Sequence, residues 1–560
     1  MDTSRTVTDH LLDRLVELGV AHVFGVPGDF TLGLLDHLTA DPRLEWVGTA
    51  SELGAGYAAD GYARVRGFGV VCTTFGVGEL SAINAVAGSH AERVPVLHLV
   101  GAPSTRVQAA RRATHHSLGD GDFAHTLRMS REVTVAQAAL GPHDAVAEID
   151  RVLAAILATG RPGYLSLPTD VAELPVGSAL GPLVITPTRS DELALRAFTT
   201  AAEALLARTT ARPVVLADIM VSRSGAERAL HRLLAAGDLD YASLLWGRRV
   251  IDESGAGFRG TYIGAASDPA ARAAVETAPC LVTAGVTFTD LISGFFSERL
   301  DPATRIDLTA HEAVVGDDVF PGVEMADALD ALAGLVAPGP AERTEAPRSS
   351  TTTTTPRPDG PLTQAALWDA VAAALQPGDL VVADQGTAFY GLGGHRLPSD
   401  VLLIGQPLWA SIGYTLPALL GAALGDHRRR PVLLIGDGAA QLTIQELGTI
   451  IRHRIPAVIV VVDNDGYTVE RAIRGATASY NDIASWRWAE MPHAMGADPT
   501  QCTSVRVDTA SALRHALAAA APDRLTFVQA VTPRLDVPPL LEAVARAAAA
   551  ANAPTPDVAT

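Results

Sequence analysis

The sequence of 560 residues contains no lysine, and all 43 of its basic residues are arginine. Lysine forms the Schiff base of pyridoxal phosphate enzymes and of imine-forming aldolases, and it contacts the nucleotide in phosphate-binding loops. Biotin and lipoate are likewise carried on lysine side chains. The absence of lysine therefore excludes each of these chemistries for this chain.

Cysteine is nearly as scarce, with only Cys72, Cys280 and Cys502, which lie far apart in the chain. No spacing matches a zinc site or a disulfide framework, and this pattern is typical of a reducing compartment. The first residues form an acidic amphipathic pattern in place of the basic and apolar segments of a signal peptide. We therefore expect a cytoplasmic protein.

Positive charge is also in deficit, since 62 acidic residues against 43 basic ones give a net charge of −19. This balance argues against binding to nucleic acid or to an anionic membrane, because both need a positive surface. One uncharged stretch, residues 402–425, is long enough to span a bilayer. Its glutamine, serine and two prolines, without flanking aromatic and basic anchors, favour a helix buried in a soluble core.

The composition is otherwise that of a large folded protein, with 48% apolar and 19% charged residues. At about 150 residues per domain, the length predicts three or four domains. A stretch rich in proline, threonine and serine, residues 339–361, is typical of an exposed linker. With a weaker break near residues 174–190, it divides the chain into predicted domains at 1–175, 190–338 and 362–560.

Each predicted domain repeats short apolar runs, bounded by glycine or proline, that precede helical patterns rich in alanine and leucine. Because these runs are apolar at every position, they indicate parallel strands covered on both faces. The sequence thus predicts an α/β protein with three doubly wound domains and mostly parallel sheets. The candidate strands are Gly69–Thr74, Val94–Val100, Gly163–Leu167, Pro213–Ala217, Cys280–Ala284, Arg305–Leu308, Leu380–Ala383, Val432–Ile435, Ala457–Val462 and Thr526–Ala530.

Two polar turns follow neighbouring strands of the last predicted domain, at the sheet edge where such folds bind ligands. VLLIGDG ends at Gly438, and the next strand runs into the sequence DNDG, which ends at Gly466. Carboxylate, amide and backbone oxygens form a hard ligand set suited to Mg²⁺. The glycines, and a helix predicted to begin near Gln441, let backbone N–H groups approach a diphosphate. Either turn alone would be ordinary, whereas the pair favours a metal–diphosphate site.

These two turns resemble the cofactor motif of thiamine diphosphate enzymes, and further motifs resemble the pyruvate decarboxylase and indolepyruvate decarboxylase family. The further motifs are VFGVPGDFTLGLLD, TASELGAGYAADGYAR, TTFGVGELSAINAVAGSHAE, THHSLGDGDF, ADQGTAFYG, GQPLWASIGYTLPA and NDGYTVERAI. The similarity covers nearly all of the chain apart from the threonine-rich linker and the alanine-rich tail. It implies that the three domains are pyrimidine-binding, Rossmann-like and diphosphate-binding, in that order.

The resemblance also implies a reaction, the non-oxidative decarboxylation of a 2-keto acid to an aldehyde and carbon dioxide. It would proceed through an ylide and an enamine of thiamine diphosphate, which is bound with Mg²⁺. We expect an aromatic or branched-chain substrate such as phenylpyruvate or indolepyruvate, because Val469 is smaller than the isoleucine common in pyruvate-specific relatives. In this family the cofactor lies between subunits, so the smallest active unit would be a homodimer, and a homotetramer is common.

Matching the motifs residue by residue assigns roles within the site. By this resemblance Glu52 activates the cofactor through its pyrimidine ring, and Asp29, His115, His116 and Glu470 handle protons after carbon dioxide leaves. The implied metal ligands are Asp437, Asn464 and Gly466. The implied cofactor contacts are Glu52, Thr387, Ala410, Ile412, Gly436, Asp437, Gly438, Ala439, Asn464, Gly466 and Tyr467, and the implied substrate pocket is Leu291, Ile292, Phe389, Tyr390, Val469 and Ala548.

Three positions depart from the family pattern: Ala439 stands in place of a serine, Asp463 in place of an asparagine, and Ala410 in place of a glycine.

Two other functions stay open. One is a carboligase of the acetohydroxyacid synthase or benzoylformate decarboxylase type, which the histidine pair and Glu470 disfavour. The other is a cofactor-binding protein without catalysis, which an intact Glu52 disfavours, although a glutamate at a helix start can also be a simple dipole partner.

Overall fold

The computed structural model describes residues 5–177, 181–184, 188–209, 211–237, 239–336 and 360–551. These residues form three separate sheets, one after another along the chain. The predicted linker at 339–361 lies outside the described residues except for Gly360 and Pro361.

The first sheet has six strands, all of them parallel to their neighbours. Its strands are β1 (His22–Gly25), β2 (Glu45–Gly48), β3 (Gly69–Thr74), β4 (Val96–Ala102), β5 (Gln137–Ala139) and β6 (Gly163–Pro168), and the helices of this part are α1 (Val7–Glu17), α2 (Leu32–Ala40), α3 (Glu52–Arg66), α4 (Val77–Ala91), α5 (Thr105–Ala109), α6 (His125–Ser130), α7 (Ala145–Thr159) and α8 (Thr169–Ala172). Their order in the sheet is β2-β1-β3-β4-β6-β5. Strands β3, β4 and β6 are buried at every position, as their largely apolar sequences predict.

The middle sheet has seven strands and is mixed at one edge. Its strands are β7 (Val214–Ala217), β8 (Asp240–Ser243), β9 (Phe258–Thr261), β10 (Leu281–Ala284), β11 (Arg305–Leu308), β12 (Glu312–Val315) and β13 (Asp318–Pro321), and its helices are α9 (Glu192–Leu206), α10 (Met220–Arg223), α11 (Glu227–Gly237), α12 (Pro269–Glu276) and α13 (Met325–Leu335). The order is β13-β12-β11-β10-β7-β8-β9, with β12 and β13 antiparallel to their neighbours. The sequence predicted only β7, β10 and β11 of these strands.

The last sheet again has six strands, all parallel to their neighbours. Its strands are β14 (Leu380–Ala383), β15 (Leu402–Ile404), β16 (Pro431–Gly436), β17 (Val458–Asp463), β18 (Cys502–Val507) and β19 (Leu525–Val531), and its helices are α14 (Gln364–Ala374), α15 (Thr387–Gly393), α16 (Thr415–Gly425), α17 (Asp437–Thr443), α18 (Glu446–Arg452), α19 (Thr468–Ile473), α20 (Met491–Ala494), α21 (Ala510–Ala518) and α22 (Pro539–Ala551). The order is β15-β14-β16-β17-β19-β18. The α/β fold class with three mostly parallel sheets is thus confirmed.

The apolar stretch at 402–425 divides into β15, a loop and α16, and α16 packs against α3 of the first part of the chain. Two glycines let these helices approach closely. A Cβ atom on Gly421 would lie 2.6 Å from the carbonyl carbon of Ala58, and one on Gly61 would lie 2.7 Å from Cα of Ala418. Among the described residues, no helix is both long and apolar enough to cross a membrane.

A buried ion-pair network also joins the first and last parts of the chain. Arg64 Nε donates to Asp60 Oδ1 at 2.6 Å, and its NH1 donates to the carbonyl oxygen of Gly405 at 3.0 Å. Glu92 accepts a 2.9 Å hydrogen bond from the backbone N–H of Leu408. All three charged side chains are buried, so breaking any one contact would leave a costly unpaired group. The network therefore fixes the backbone that leads into the loop before α16.

Candidate active site

The ends of β16 and β17 bring the two polar turns together, as their positions on neighbouring strands predicted. Asp437 is buried, and its Oδ1 accepts from the backbone N–H of Gly438 at 2.7 Å. Its Oδ2 accepts from the N–H groups of Asn464 and Gly466 at 3.2 and 3.1 Å. Burial raises the pKa of the Asp437 carboxyl to about 7. A carboxylate held in this way is costly without a positive partner.

Two further oxygens converge on Oδ1 of this carboxylate. Oδ1 of Asn464 lies 3.1 Å from Oδ1 of Asp437 and 2.8 Å from the carbonyl oxygen of Gly466. Turning the Asn464 amide over would convert both contacts into hydrogen bonds, so the oxygen-inward arrangement is repulsive unless a cation lies among the three atoms. Octahedral Mg²⁺, with bonds of 2.0–2.1 Å, holds adjacent oxygens about 2.9 Å apart. The spacing and chemistry of these oxygens therefore fit Mg²⁺.

The N-terminus of α17 adds a favourable environment for a diphosphate. This helix begins at Asp437, so the predicted start near Gln441 was wrong by one turn. The reason is that GDG can be interpreted as a loop, whereas an aspartate is also a favoured first-turn residue of a helix. A side chain at Gly438 would contact the ring of Tyr467 at 2.6 Å, so glycine keeps the helix start open. Free N–H groups at a helix N-terminus bind anions.

A cavity of about 240 Å³ opens along this edge of the sheet. It is lined by ten of the eleven implied cofactor contacts, all except Glu52. The sequence missed several other wall residues, which belong to the ADQGTAFYG and NDGYTVERAI motifs. The missed residues are Asp384, Gln385, Gly386, Ala388, Thr468 and Ile473. Their place directly after β14 and β17 is the signal that could have found them.

The wall formed by Ala410 and Ile412 is held in an unusual conformation. Ala410 has φ of +55°, in the left-handed region that an L-residue adopts only at a cost. Asp384, buried at the end of β14, accepts from the backbone N–H of Gly413 at 3.1 Å and from Thr415 Oγ1 at 2.6 Å. Burial raises the pKa of Asp384 to about 7. The hydrogen bonds that Asp384 accepts therefore hold the end of this loop against the sheet.

The implied substrate pocket is only partly present in the cavity wall. Leu291, Tyr390 and Val469 line the cavity, as does Glu470 on α19. The Tyr390 hydroxyl lies 3.4 Å from the carbonyl oxygen of Leu291, which brings a loop of the middle part of the chain to this site. The other three implied pocket residues are buried in the hydrophobic core and do not line the cavity; they are Ile292, Phe389 and Ala548.

The implied proton-handling residues of the first sheet form a second group. Nε2 of His115 lies 3.0 Å from Oδ2 of Asp29, and the rings of His115 and His116 have centroids 4.6 Å apart. Phe30 stacks on His115 at a centroid distance of 5.0 Å and an interplanar angle of 18°. All three polar side chains are exposed. The structure thus brings together residues that are separated by more than eighty positions in the sequence.

Glu52 is the first residue of α3 and is half-buried. The preceding Ser51 caps the helix, because its Oγ accepts from the N–H of Gly54 at 3.1 Å. Buried Glu446 on α18 accepts from the N–H groups of Ala50 and Ser51 at 3.1 and 3.2 Å. These contacts fix the helix start, and with it the backbone from which Glu52 projects.

Neither Glu52 nor the Asp29–His115–His116 group lines the cavity at the end of β16. Within one chain, the three oxygens of Asp437, Asn464 and Gly466, which we call the oxygen cradle, therefore belong to a different part of the site from Glu52 and the Asp29–His115–His116 group. The cavity wall comes from residues 384–473 together with Leu291. A reaction that uses both the metal-binding oxygens and the Asp29–His115–His116 group requires these two sets of residues to lie next to each other.

Three protein-family models match the chain in order. They describe the N-terminal TPP binding domain of thiamine pyrophosphate enzymes (residues 5–126), their central domain (199–335) and their C-terminal TPP binding domain (392–530). Together they cover more than half of the chain.

Curated relatives extend the similarity over nearly the full length. The alpha-keto-acid decarboxylase of Mycobacterium leprae (strain TN) is 54% identical over 551 residues, which is 98% of this chain and 96% of that protein. The alpha-keto-acid decarboxylase of Mycobacterium tuberculosis (strain H37Rv) is 54% identical over 544 residues, 96% of each chain. A solved thiamin diphosphate-dependent enzyme from Mycobacterium smegmatis has a TM-score of 0.74 at 20% identity and covers 95% of this chain and 100% of its own, which supports the fold alone.

Proposed function

The chain belongs to the thiamine pyrophosphate enzymes and is a thiamine-dependent alpha-keto-acid decarboxylase, and we propose that its substrate is an aromatic or branched-chain 2-keto acid. The products would be the corresponding aldehyde and carbon dioxide. The observation that carries the proposal is the convergence of Asp437, Asn464 and Gly466 beside an apolar cavity. That arrangement suits a metal-bound diphosphate whose reacting end lies in an apolar cavity.

Residues of the last sheet would hold the cofactor. Asp437, the amide oxygen of Asn464 and the carbonyl oxygen of Gly466 would bind Mg²⁺, and N–H groups at the start of α17 would bind the diphosphate. Ala439 offers no hydroxyl there, which removes one hydrogen bond worth about 0.5–1.5 kcal/mol. When bound, thiamine diphosphate supplies the electron sink that loss of carbon dioxide requires. Ile412, which also lines the cavity, would contact the cofactor.

The acid and base groups would divide the proton transfers between them. Glu52 would exchange a proton with the pyrimidine ring of the cofactor, and His115 and His116 would deliver a proton to the product carbon. The 3.0 Å contact between His115 Nε2 and Asp29 Oδ2 would orient the imidazole for this role. Glu470, in the cavity wall, would act between decarboxylation and aldehyde release.

A second copy of the chain would complete the site. Glu52, Asp29, His115 and His116 lie outside the cavity of their own chain. A homodimer that pairs the first part of one chain with the last part of another would bring them to it. Exposed apolar side chains support such a contact: Val77 and Leu80 on α4 are 52% and 37% exposed, and Leu442 on α17 is 49% exposed. We propose a homodimer as the active unit, which assembles further into a homotetramer. Within each chain, we propose domains at residues 1–175, 190–338 and 362–560.

The residues of the cavity wall indicate which 2-keto acid would fit. Apart from the residues that would contact the cofactor, the cavity has apolar walls at Leu291, Val469 and Ile473. Valine at position 469 leaves room for one more methylene than the isoleucine of pyruvate-specific relatives would. One methylene in an apolar pocket changes specificity by about 10–200-fold. The wall therefore favours phenylpyruvate, indolepyruvate or a branched-chain acid over pyruvate.

Steady-state kcat/KM across a panel of 2-keto acids tests this proposal, with the variant Val469→Ile measured beside wild type. Wild type should prefer aromatic or branched acids, and Val469→Ile should move the preference toward pyruvate. Val319→Ile, an exposed valine on β13, is the matched control and should leave the panel unchanged. The highest kcat/KM for pyruvate in wild type would contradict the proposed substrate class, while the decarboxylase family would stand.

A further inference from the structure

Three ligating side chains meet in the first part of the chain, and we propose that Asp29, His115 and His116 bind a transition-metal ion of the Zn²⁺ type. Their ligand atoms, one from each residue, all lie within 4.8 Å of one another. In the described ranges, no other set of three histidine, cysteine, aspartate or glutamate side chains brings its ligand atoms this close. The site is distinct from the oxygen cradle at Asp437.

The spacing is close to what a bound ion needs. Zn²⁺ binds imidazole nitrogen and carboxylate oxygen at about 2.0–2.2 Å, which places tetrahedral ligands about 3.4 Å apart. The distance between His115 Nε2 and Asp29 Oδ2 is 3.0 Å. Small rotations of exposed side chains would bring the third ligand, from His116, into the same shell.

The backbone under these ligands is fixed in advance. His116 has φ of +67°, a left-handed conformation that the surrounding chain must impose. Its carbonyl group packs directly on Gly76, at a point where a side chain on that residue would collide with it. The stacked ring of Phe30 orients His115, and Asp29 begins a short 3-10 helix. Binding an ion would thus order little more than the three side chains themselves.

The ligand types determine which ion is favoured at each site. Two imidazoles and one carboxylate suit Zn²⁺ and its transition-metal neighbours, whereas carboxylate, amide and carbonyl oxygens suit Mg²⁺. The three protein ligands would leave a fourth position open, as in zinc sites that also bind water or a small molecule. An enzyme saturated with Mg²⁺ should therefore still take up Zn²⁺ at Asp29, His115 and His116.

A consequence follows if these residues deliver protons as proposed above. A metal ion occupies the nitrogen lone pairs that would carry the proton, so it should inhibit turnover reversibly. This consequence depends on the proposed function, whereas metal binding itself does not. The two can be separated by measuring them independently.

The direct test is calorimetric titration of Zn²⁺ into the holoenzyme loaded with thiamine diphosphate and excess Mg²⁺. We expect one Zn²⁺ per chain, with binding weakened at least about tenfold in His115→Gln and in His116→Gln, because even the loss of a partner behind a metal ligand costs 10–100-fold. Co²⁺ in place of Zn²⁺ should give the visible absorption bands of a low-coordinate histidine site, and each variant should lose them. Circular dichroism would establish that the variants are folded.

His125→Gln is the matched control. His125 also pairs with an aspartate, since its Nε2 lies 2.7 Å from Asp120 Oδ2, but Arg128 occupies its other side at 2.9 Å from Nδ1. This control should bind Zn²⁺ like wild type. Equal Zn²⁺ affinity in wild type, His115→Gln and His116→Gln, or no uptake by the holoenzyme, would overturn the proposed site. Uptake at the site without inhibition would support the metal site and contradict the proton-delivery role.

Discussion

The close crossing of α3 and α16 should affect both stability and activity. The reason is that α3 starts with Glu52 and α16 follows the loop of Ala410 and Ile412. We consider the substitution Gly421→Ala on α16. The new Cβ would lie 2.6 Å from the carbonyl carbon of Ala58 and would also crowd its oxygen. Carbon atoms need about 3.5–4.0 Å, so the helices would have to separate by about 1 Å.

The change in the free energy of unfolding follows from two opposing effects of the substitution. Overpacking of a tight core costs about 1–3 kcal/mol, and here the obstructing atoms belong to a helix backbone that cannot rotate away. Alanine regains about 0.5–1 kcal/mol over glycine in a helix interior. We therefore expect Gly421→Ala to lower the free energy of unfolding by about 1–2 kcal/mol. A shifted α3 should also lower kcat, because the position of Glu52 depends on that helix.

Thermal unfolding of the holoenzyme, together with turnover at saturating cofactor, measures both effects. Gly334→Ala on α13 is the matched control, because a Cβ there meets nothing within 4 Å. The control should be as stable as wild type or slightly more stable, with unchanged turnover. A Gly421→Ala protein that is as stable and as active as the control would refute the tight crossing.

Three further outcomes are expected. Glu52→Gln should retain cofactor binding and lose about 10²–10⁴ in kcat, the range for a general acid–base group. In a cofactor titration, Asp437→Asn should lose Mg²⁺-dependent binding, while Glu470→Gln should bind normally and stall after substrate addition; equal defects would contradict this division. Burial raises the pKa of Asp384 from 3.8 to about 7, so between these pH values the folded state retains a proton that the unfolded state has released. Stability therefore falls as pH rises from about 3.8 to about 7 and levels off above that. The Tm of the apoenzyme should drop more between about pH 4.5 and 7.5 in wild type than in Asp384→Asn, and equal drops would contradict it.

Most of the strands that the sequence predicted are buried at nearly every position, with β11 an exception that is buried at every second position. Runs such as β16 are apolar throughout, so their pattern admits few alternatives. The missed strands of the middle sheet include β12 and β13, which lie at its antiparallel edge. Their alternating or exposed positions lack the apolar signal that a central parallel strand requires.

The proximity of Asp437 and Asn464 could be predicted from the sequence because it depends on strand register. Once β16 and β17 are neighbours, Asp437 and Asn464 must meet at the same edge. The substrate wall depends instead on side-chain direction within helices. On α15, the side chain of Tyr390 reaches the cavity while that of its neighbour Phe389 enters the core. Sequence motifs do not encode that choice, which tertiary packing decides.

The central claim is that Glu52, Asp29, His115 and His116 of one chain act on the cofactor held by another. Co-expression of Glu52→Gln and Asp437→Asn chains, each inactive alone, tests it most directly. In a shared site, a mixed dimer has one site with both defects and one with neither, so random pairing should restore about a quarter of wild-type activity. Aldehyde production in the purified mixture is the readout, with each variant alone as the control. Activity no higher than that of the separate variants, in a preparation shown to contain mixed dimers, would contradict the account.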